Sequence, residues 1–262
     1  MSLSLDDRRA LAEAKALLTR PGFAVQVADL MGTPIELGFQ RLPDGWKRKV
    51  GDMTQAALMR ALKVALLTMN PTAAKDHPGW HKVGGVVSGA VGGAFGLAGL
   101  SVELPISTAV ICRSIADTAR ANGESLEDPL TRMACLEVFA LGGLSKQDDA
   151  ADAGYFATRA VIAKSVSDAA QYLASHRLVG EAAPAIVRLV VHVAARFQVQ
   201  VSQKVAAQAV PLIGAAGGAL VNLLFVDHFQ QMSRGHFTIR RLERQYGAES
   251  VRNAFDTLEV EP

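Results

Sequence analysis

Aromatic residues are scarce in this chain of 262 residues: three Tyr, two Trp and ten Phe make up 6% of it. Because β-branched runs are short as well, the composition disfavours sheets, whose strands draw on aromatic and β-branched side chains. Cysteine is scarcer still. Cys112 and Cys135 lie among apolar residues and form neither a CxxC pair nor a zinc spacing, so a disulfide framework is excluded and two small buried thiols in a reducing compartment are expected. An excess of one charge is also missing: 27 Lys+Arg against 25 Asp+Glu leave +2, too little for a polyelectrolyte grip on nucleic acid. The first twenty residues have no apolar stretch of the kind a signal peptide needs, which points to the cytoplasm. No GxSxG, HExxH, GxxxxGK[ST] or GxGxxG occurs, and Ser88 is misplaced between Gly85 and Gly89 for a nucleophile elbow. No cofactor and no metal is expected on these grounds.

What is present suits helices. Half the residues are apolar, enough for a sizeable core, and Ala and Leu dominate. With no repeat and no low-complexity linker, residues 1–262 read as a single all-α domain of nine to eleven helices joined by short loops. Ser4 before Asp6-Asp7, Thr33 before Pro34 and Asp128 before Pro129 are helix starts; Pro105, Pro184 and Pro211 are read as further starts. Gly123 and Gly247 fall where C-terminal caps belong.

Two segments depart from an ordinary soluble bundle. Residues 83–102 and 205–226 carry no charge over 20 and 22 residues, each long enough to span a bilayer as a straight helix. Seven glycines in the first segment, and Gln208, Pro211 and Asn222 in the second, weaken that reading. Gly85, Gly89, Gly92, Gly96 and Gly99 recur at steps of four and three, along one face of a helix. Such a face admits another backbone closely, and Gly214 and Gly218 supply a counterpart. The pair therefore predicts two central glycine-rich helices that either cross inside a soluble core or form a hairpin that dips into a membrane.

The run around Gly84 to Gly99 with Glu103-Leu104-Pro105, then Leu136-Glu137-Val138-Phe139-Ala140-Leu141-Gly142-Gly143, the Asp148-Asp149 pair with Gly154-Tyr155 and Arg159, and the stretch from Asp227-His228-Phe229 to Arg244 together resemble the EcsC protein family over residues 50–255. Residues 1–49 then form an N-terminal helical extension. The resemblance implies a bacterial protein of a family named for a gene found beside ABC-transporter genes, and implies no particular reaction. Glu103 stands where the family often has Asp.

Three groups of residues are candidates for a site. On a helix starting near Ser145, Asp148, Asp152, Tyr155 and Arg159 share a face with Asp149 beside it; with Glu103 or Arg113 they could supply acid–base or cation-holding chemistry, or simply a structural network. The histidines are poor ligand sets: His77 and His81 bracket a turn, His228 and His236 are two turns apart, and His192 lies between Arg188 and Arg196. Finally, five arginines between Arg234 and Arg252, among them Arg240, Arg241 and Arg244, form a basic patch suited to anionic lipid. The reading that follows is a non-enzymatic protein peripheral to the inner membrane, its partners membrane lipid or a membrane transporter component. The alternatives are an enzyme at the acidic face or a soluble adaptor.

Overall fold

Ser4 opens the first helix, α1 (Leu5–Thr19), by accepting a hydrogen bond from the Asp7 amide at 3.1 Å. Asp128 opens α6 (Pro129–Glu137) in the same way, accepting from the Leu130 amide at 2.9 Å while Pro129 occupies the first turn, where no amide is needed. The computed structural model describes residues 3–32, 35–68, 80–142, 151–175, 183–209 and 214–258, without the side chains of 30–31, 64–68, 80–98, 151–153 and 214–216. The other helices are α2 (Phe23–Met31), α3 (Glu36–Phe39), α4 (Trp46–Thr68), α5 (Trp80–Ala121), α7 (Ala151–Ser175), α8 (Pro184–Gln208), α9 (Gly214–Tyr246) and α10 (Ala248–Thr257); a 3-10 turn, Val138–Ala140, follows α6. Among the described residues there is no strand, so the all-α class stands.

The axis of the molecule is the pair α5 and α9, which share the most extensive contact. Gln230 Nε2 donates to Ser114 Oγ at 3.1 Å, and Arg240 Nε donates to Glu124 Oε1 at 2.9 Å. Both pairs are 116 residues apart in sequence, so the two helices run parallel in constant register. Antiparallel neighbours flank them. α1 lies along α9, where Gly235 admits it: a Cβ there would meet Leu18 Cγ at 2.6 Å and the Ala14 carbonyl at 3.0 Å. α8 runs against α9, and α7 against α8. The few aromatic residues are concentrated where these helices converge: Phe139, Phe197, Phe225 and Phe229 interlock with ring centroids 5.0–6.0 Å apart, and Phe23 of α2 closes the group edge-on to Phe225 at 5.4 Å. A scarcity of rings thus coexists with an aromatic centre.

Two local expectations need correction. Pro105 opens no helix; it lies inside α5, where it removes one rung of the helical ladder. The hydroxyls of Ser107 and Thr108 donate to the Leu104 carbonyl beside it, at 3.2 and 2.7 Å. Residues 205–226 form no continuous segment: α8 ends at Gln208 and α9 begins at Gly214, with Pro211 between them. The glycine stripe lies within α5, but what its residues Gly85, Gly89, Gly92 and Gly96 touch, like the surroundings of Gly214, falls outside the described side chains, as Thr33 and Pro34 fall outside the described residues. The other signals hold: Pro184 opens α8, and Gly123 and Gly247 follow α5 and α9 with φ of 77° and 85°.

Candidate functional site

The constant register has a geometric consequence. Gly214, the first residue of α9, is level with Ala98, whereas α5 starts at Trp80. About eighteen residues of α5, roughly 27 Å at 1.5 Å per residue, therefore run on past the start of α9 as an arm. At its root the chain buries two charges. Lys204 of α8 donates to Glu103 Oε1 of α5 and to Asn222 Oδ1 of α9, each at 2.7 Å, and its ammonium stands 4.6 Å from the centre of the Phe225 ring. Lys204 is 0% and Glu103 3% exposed, so the pair is held away from water. Burial pushes the Lys204 pKa down, and Glu103 pulls it back up. At the level of this buried triad four apolar residues reach the surface: Val102 and Ile106 of α5, with Leu220 and Leu223 of α9, are 40–63% exposed.

A second cluster occupies the other end of the α5–α9 pair. Tyr155 and Arg159 do share a face of α7, as their spacing requires, and that face meets α6 and α9. The Tyr155 hydroxyl lies 3.0 Å from His236 Nδ1 and accepts from Arg159 at 3.3 Å; Arg159 grips Glu243 with two donors at 2.7 and 3.0 Å. Burial pushes the Tyr155 phenol up and His236 well below the usual histidine range, with Arg159 and Arg240 adding to the latter, so both rings are neutral near pH 7. Glu137, at the end of α6, completes the group without joining its hydrogen bonds. Its oxygens stand 3.8 Å from Arg159 Nε and 3.9 Å from His236 Nε2, and burial pushes its carboxyl up to about 7 against the pull of Arg159 and Arg240. A cavity of about 470 Å³ opens over this carboxyl between α6, α7, α9 and α10.

Gly142 holds the adjoining backbone. Its φ is 74°, and a Cβ would lie 2.5 Å from His228 Nε2, so the turn after α6 admits neither the conformation nor the bulk of another residue. Gln200 of α8 donates to the Leu141 carbonyl at 3.0 Å and pins the same turn.

The structure divides the sequence-derived candidates. Tyr155 and Arg159 come together, but Glu103 belongs to the triad at the arm root, about 25 Å away along the helix pair, and Arg113 is exposed on α5. Asp148 and Asp149 lie outside the described residues, as does the side chain of Asp152. Arg240 and Arg244 both bind Glu124, Arg244 also donates to the Asn122 carbonyl at 2.7 Å, and Arg241 binds Asp7 at 3.2 Å. These arginines are thus engaged with the protein's own carboxylates. Among the described residues no three His, Cys, Asp or Glu are grouped to hold a metal ion. Sequence reasoning missed His236, Glu243, Lys204 and Asn222 as partners. For Lys204 a signal existed: Glu103 and Lys204 each bound a charge-free run, and charges at the ends of such runs are the ones most in need of each other.

Two stretches, Gly99–Ala121 and Pro184–Gln208, are long and apolar enough to cross a membrane, and about half of each is buried within the protein. They are compatible with membrane association and equally with a role as core helices. No curated protein and no solved structure matches the chain. The sequence pattern of the EcsC protein family matches residues 29–242, which is most of the chain, and the protein belongs to that family.

Proposed function

We propose that the protein attaches to a membrane through the arm of α5, with the remaining helices staying in water. The observation that carries this reading is the level at which α5 outruns α9: Val102, Ile106, Leu220 and Leu223 are exposed there, next to a stretch of α5 that has no charge from residue 83 to residue 102. Exposed apolar side chains grouped at one level of a bundle are an interaction surface rather than a packing remnant. An arm of about eighteen residues that contains six glycines favours shallow insertion over a stable span. The Glu103–Lys204–Asn222 triad fits such a boundary, because it pairs Glu103, the charge that ends the apolar stretch of α5, with a cation inside the protein. Membrane lipid is the proposed partner, and the attachment is non-enzymatic. The arginines Arg240, Arg241 and Arg244 are not needed for it.

Flotation with vesicles tests the reading. The parent protein is expected to rise with both neutral and anionic vesicles, while a Val102→Ser, Leu223→Ser double variant, changed only at exposed positions, should bind at least about tenfold more weakly for the apolar area removed. Parent protein that stays at the bottom of the gradient, or a double variant that floats as well as the parent, overturns the proposal. Retention only on membranes containing a transporter component would move the assignment to the adaptor reading.

A further inference from the structure

The cavity over Glu137 lies at the end of the molecule away from the arm and does not depend on the membrane reading. Glu137 is 4% exposed and lines this space, yet among the described residues it forms no hydrogen bond; it pairs only at a distance, with Arg159 Nε at 3.8 Å and the neutral His236 at 3.9 Å. Arg159, which could have turned to it, is committed to Glu243 by two short bonds, and Arg240 to Glu124. A buried carboxyl left with unused acceptor capacity is costly, and it persists where something outside the chain uses it. The cavity wall above is apolar, made by Leu130 of α6 and by Phe156, Ala160, Ala163 and Val166 of α7. Its volume falls within the range of small-molecule sites.

Charge narrows the ligand class. Arg159, Arg240 and Arg252 face Glu137, Glu243 and Glu249 around the cavity, three cations against three carboxyls, so neither an anion nor a cation gains from the field as a whole. What remains unmet is a hydrogen bond to one carboxyl beneath an apolar wall. We infer that this cavity is a binding site for a neutral amphiphile, with an aliphatic or aromatic body against α7 and a hydroxyl that donates to Glu137.

Three probes with one tail and different heads test this: 1-octanol, octanoate and octylammonium, each titrated without vesicles into the full chain and followed by the NMR signals of Ala160, Ala163 and Val166. Octanol is expected to shift these signals saturably, and the two charged probes to bind at least about tenfold more weakly. With the titrations run at pH 8, where the Glu137 carboxyl is mostly ionised, Glu137→Leu should weaken octanol about tenfold, the loss of a hydrogen bond to a charged acceptor. Glu137→Gln, which keeps an acceptor oxygen, should retain most of the affinity. Ala163→Phe fills the space without touching the carboxyl and should abolish the shifts, which keeps the test decisive if Glu137→Leu does not fold. Equal binding of the three heads, no saturable shift on α7, or full affinity in Glu137→Leu each overturns the inference.

Discussion

At the arm end of the α5–α9 pair a buried ammonium donates to two acceptors at 2.7 Å; at the far end a buried carboxyl accepts no hydrogen bond among the described residues and has its ion-pair partner Arg159 at 3.8 Å. Both clusters join three helices, and both bring together residues distant in sequence. They differ in where the unspent capacity points. Lys204 and the oxygen it binds on Glu103 are enclosed by Phe225 and the core, so the first cluster behaves as a rivet for α5, α8 and α9. Glu137 opens onto a cavity of about 470 Å³, so the second cluster offers chemistry to a visitor. A charge enclosed and hydrogen-bonded secures specific packing, whereas one enclosed without a hydrogen bond beside a void marks a place where the fold is incomplete by itself.

The sharpest way to break this contrast is to remove the rivet. Lys204→Met leaves Glu103 as a buried carboxyl without a counter-charge and is expected to cost about 3–5 kcal/mol. Adding Glu103→Leu removes the stranded charge and should recover at least about 2 kcal/mol, because well-packed apolar replacements of buried pairs are often neutral. Urea denaturation of the parent, the single and the double variant measures both. A single variant within about 1 kcal/mol of the parent would show that the triad is not the rivet described.

Much of the fold was legible because its signals are local. Ser4, Asp128-Pro129, Pro184, Gly123 and Gly247 each act within one turn of chain, and each marks the boundary expected of it. Pro105 misled because a proline is also tolerated inside a long helix that packing holds along its length, as the contact with α9 holds α5 here. The site was half legible for the same reason. The helical period placed Tyr155 and Arg159 on one face, but their partners His236 and Glu243 are 81 and 84 residues further on, and no period links them. Glu137 lay inside a quoted block, yet its isolation from hydrogen bonds arises only when α6, α7 and α9 pack. Likewise the basic patch was visible in sequence, whereas its neutralisation by Glu124 and Asp7 depends on the α5–α9 and α1–α9 contacts.

Acidity separates the two clusters by a smaller amount. Glu137 has its carboxyl at about 7 in the folded chain against an ordinary value of 4.5, so the folded state holds that proton more tightly than the unfolded state does. Stability must then fall as pH rises from about 4.5 to 7, by about 3 kcal/mol in all. His228 works in the opposite sense: burial holds it at about 4 against 6.5, so its contribution is lost as pH falls from 6.5 toward 4. Comparing the parent with Glu137→Gln isolates the first effect. The variant should match the parent near pH 4.5 and exceed it by about 3 kcal/mol at pH 8; parallel stability curves would contradict a buried carboxyl without hydrogen bonds.

The smallest effect is expected where ion pairs meet water. Arg244 is 44% exposed and shares Glu124 with Arg240, which is only 15% exposed and retains the carboxylate when Arg244 is gone. Removing one of two cations from a shared acceptor at the surface sacrifices little Coulomb energy and releases a long side chain, so Arg244→Gln should cost less than about 1 kcal/mol. Arg240→Gln should cost more, because Glu124 would then rely on the more hydrated partner. Because Arg244 is already occupied, its loss should also leave vesicle flotation nearly unchanged. Urea denaturation and flotation of the same variant provide both readings. A drop in flotation comparable to that of the Val102→Ser, Leu223→Ser variant would shift the membrane contact from the arm of α5 to the basic end of α9, and the two ends of the helix pair would have to exchange roles.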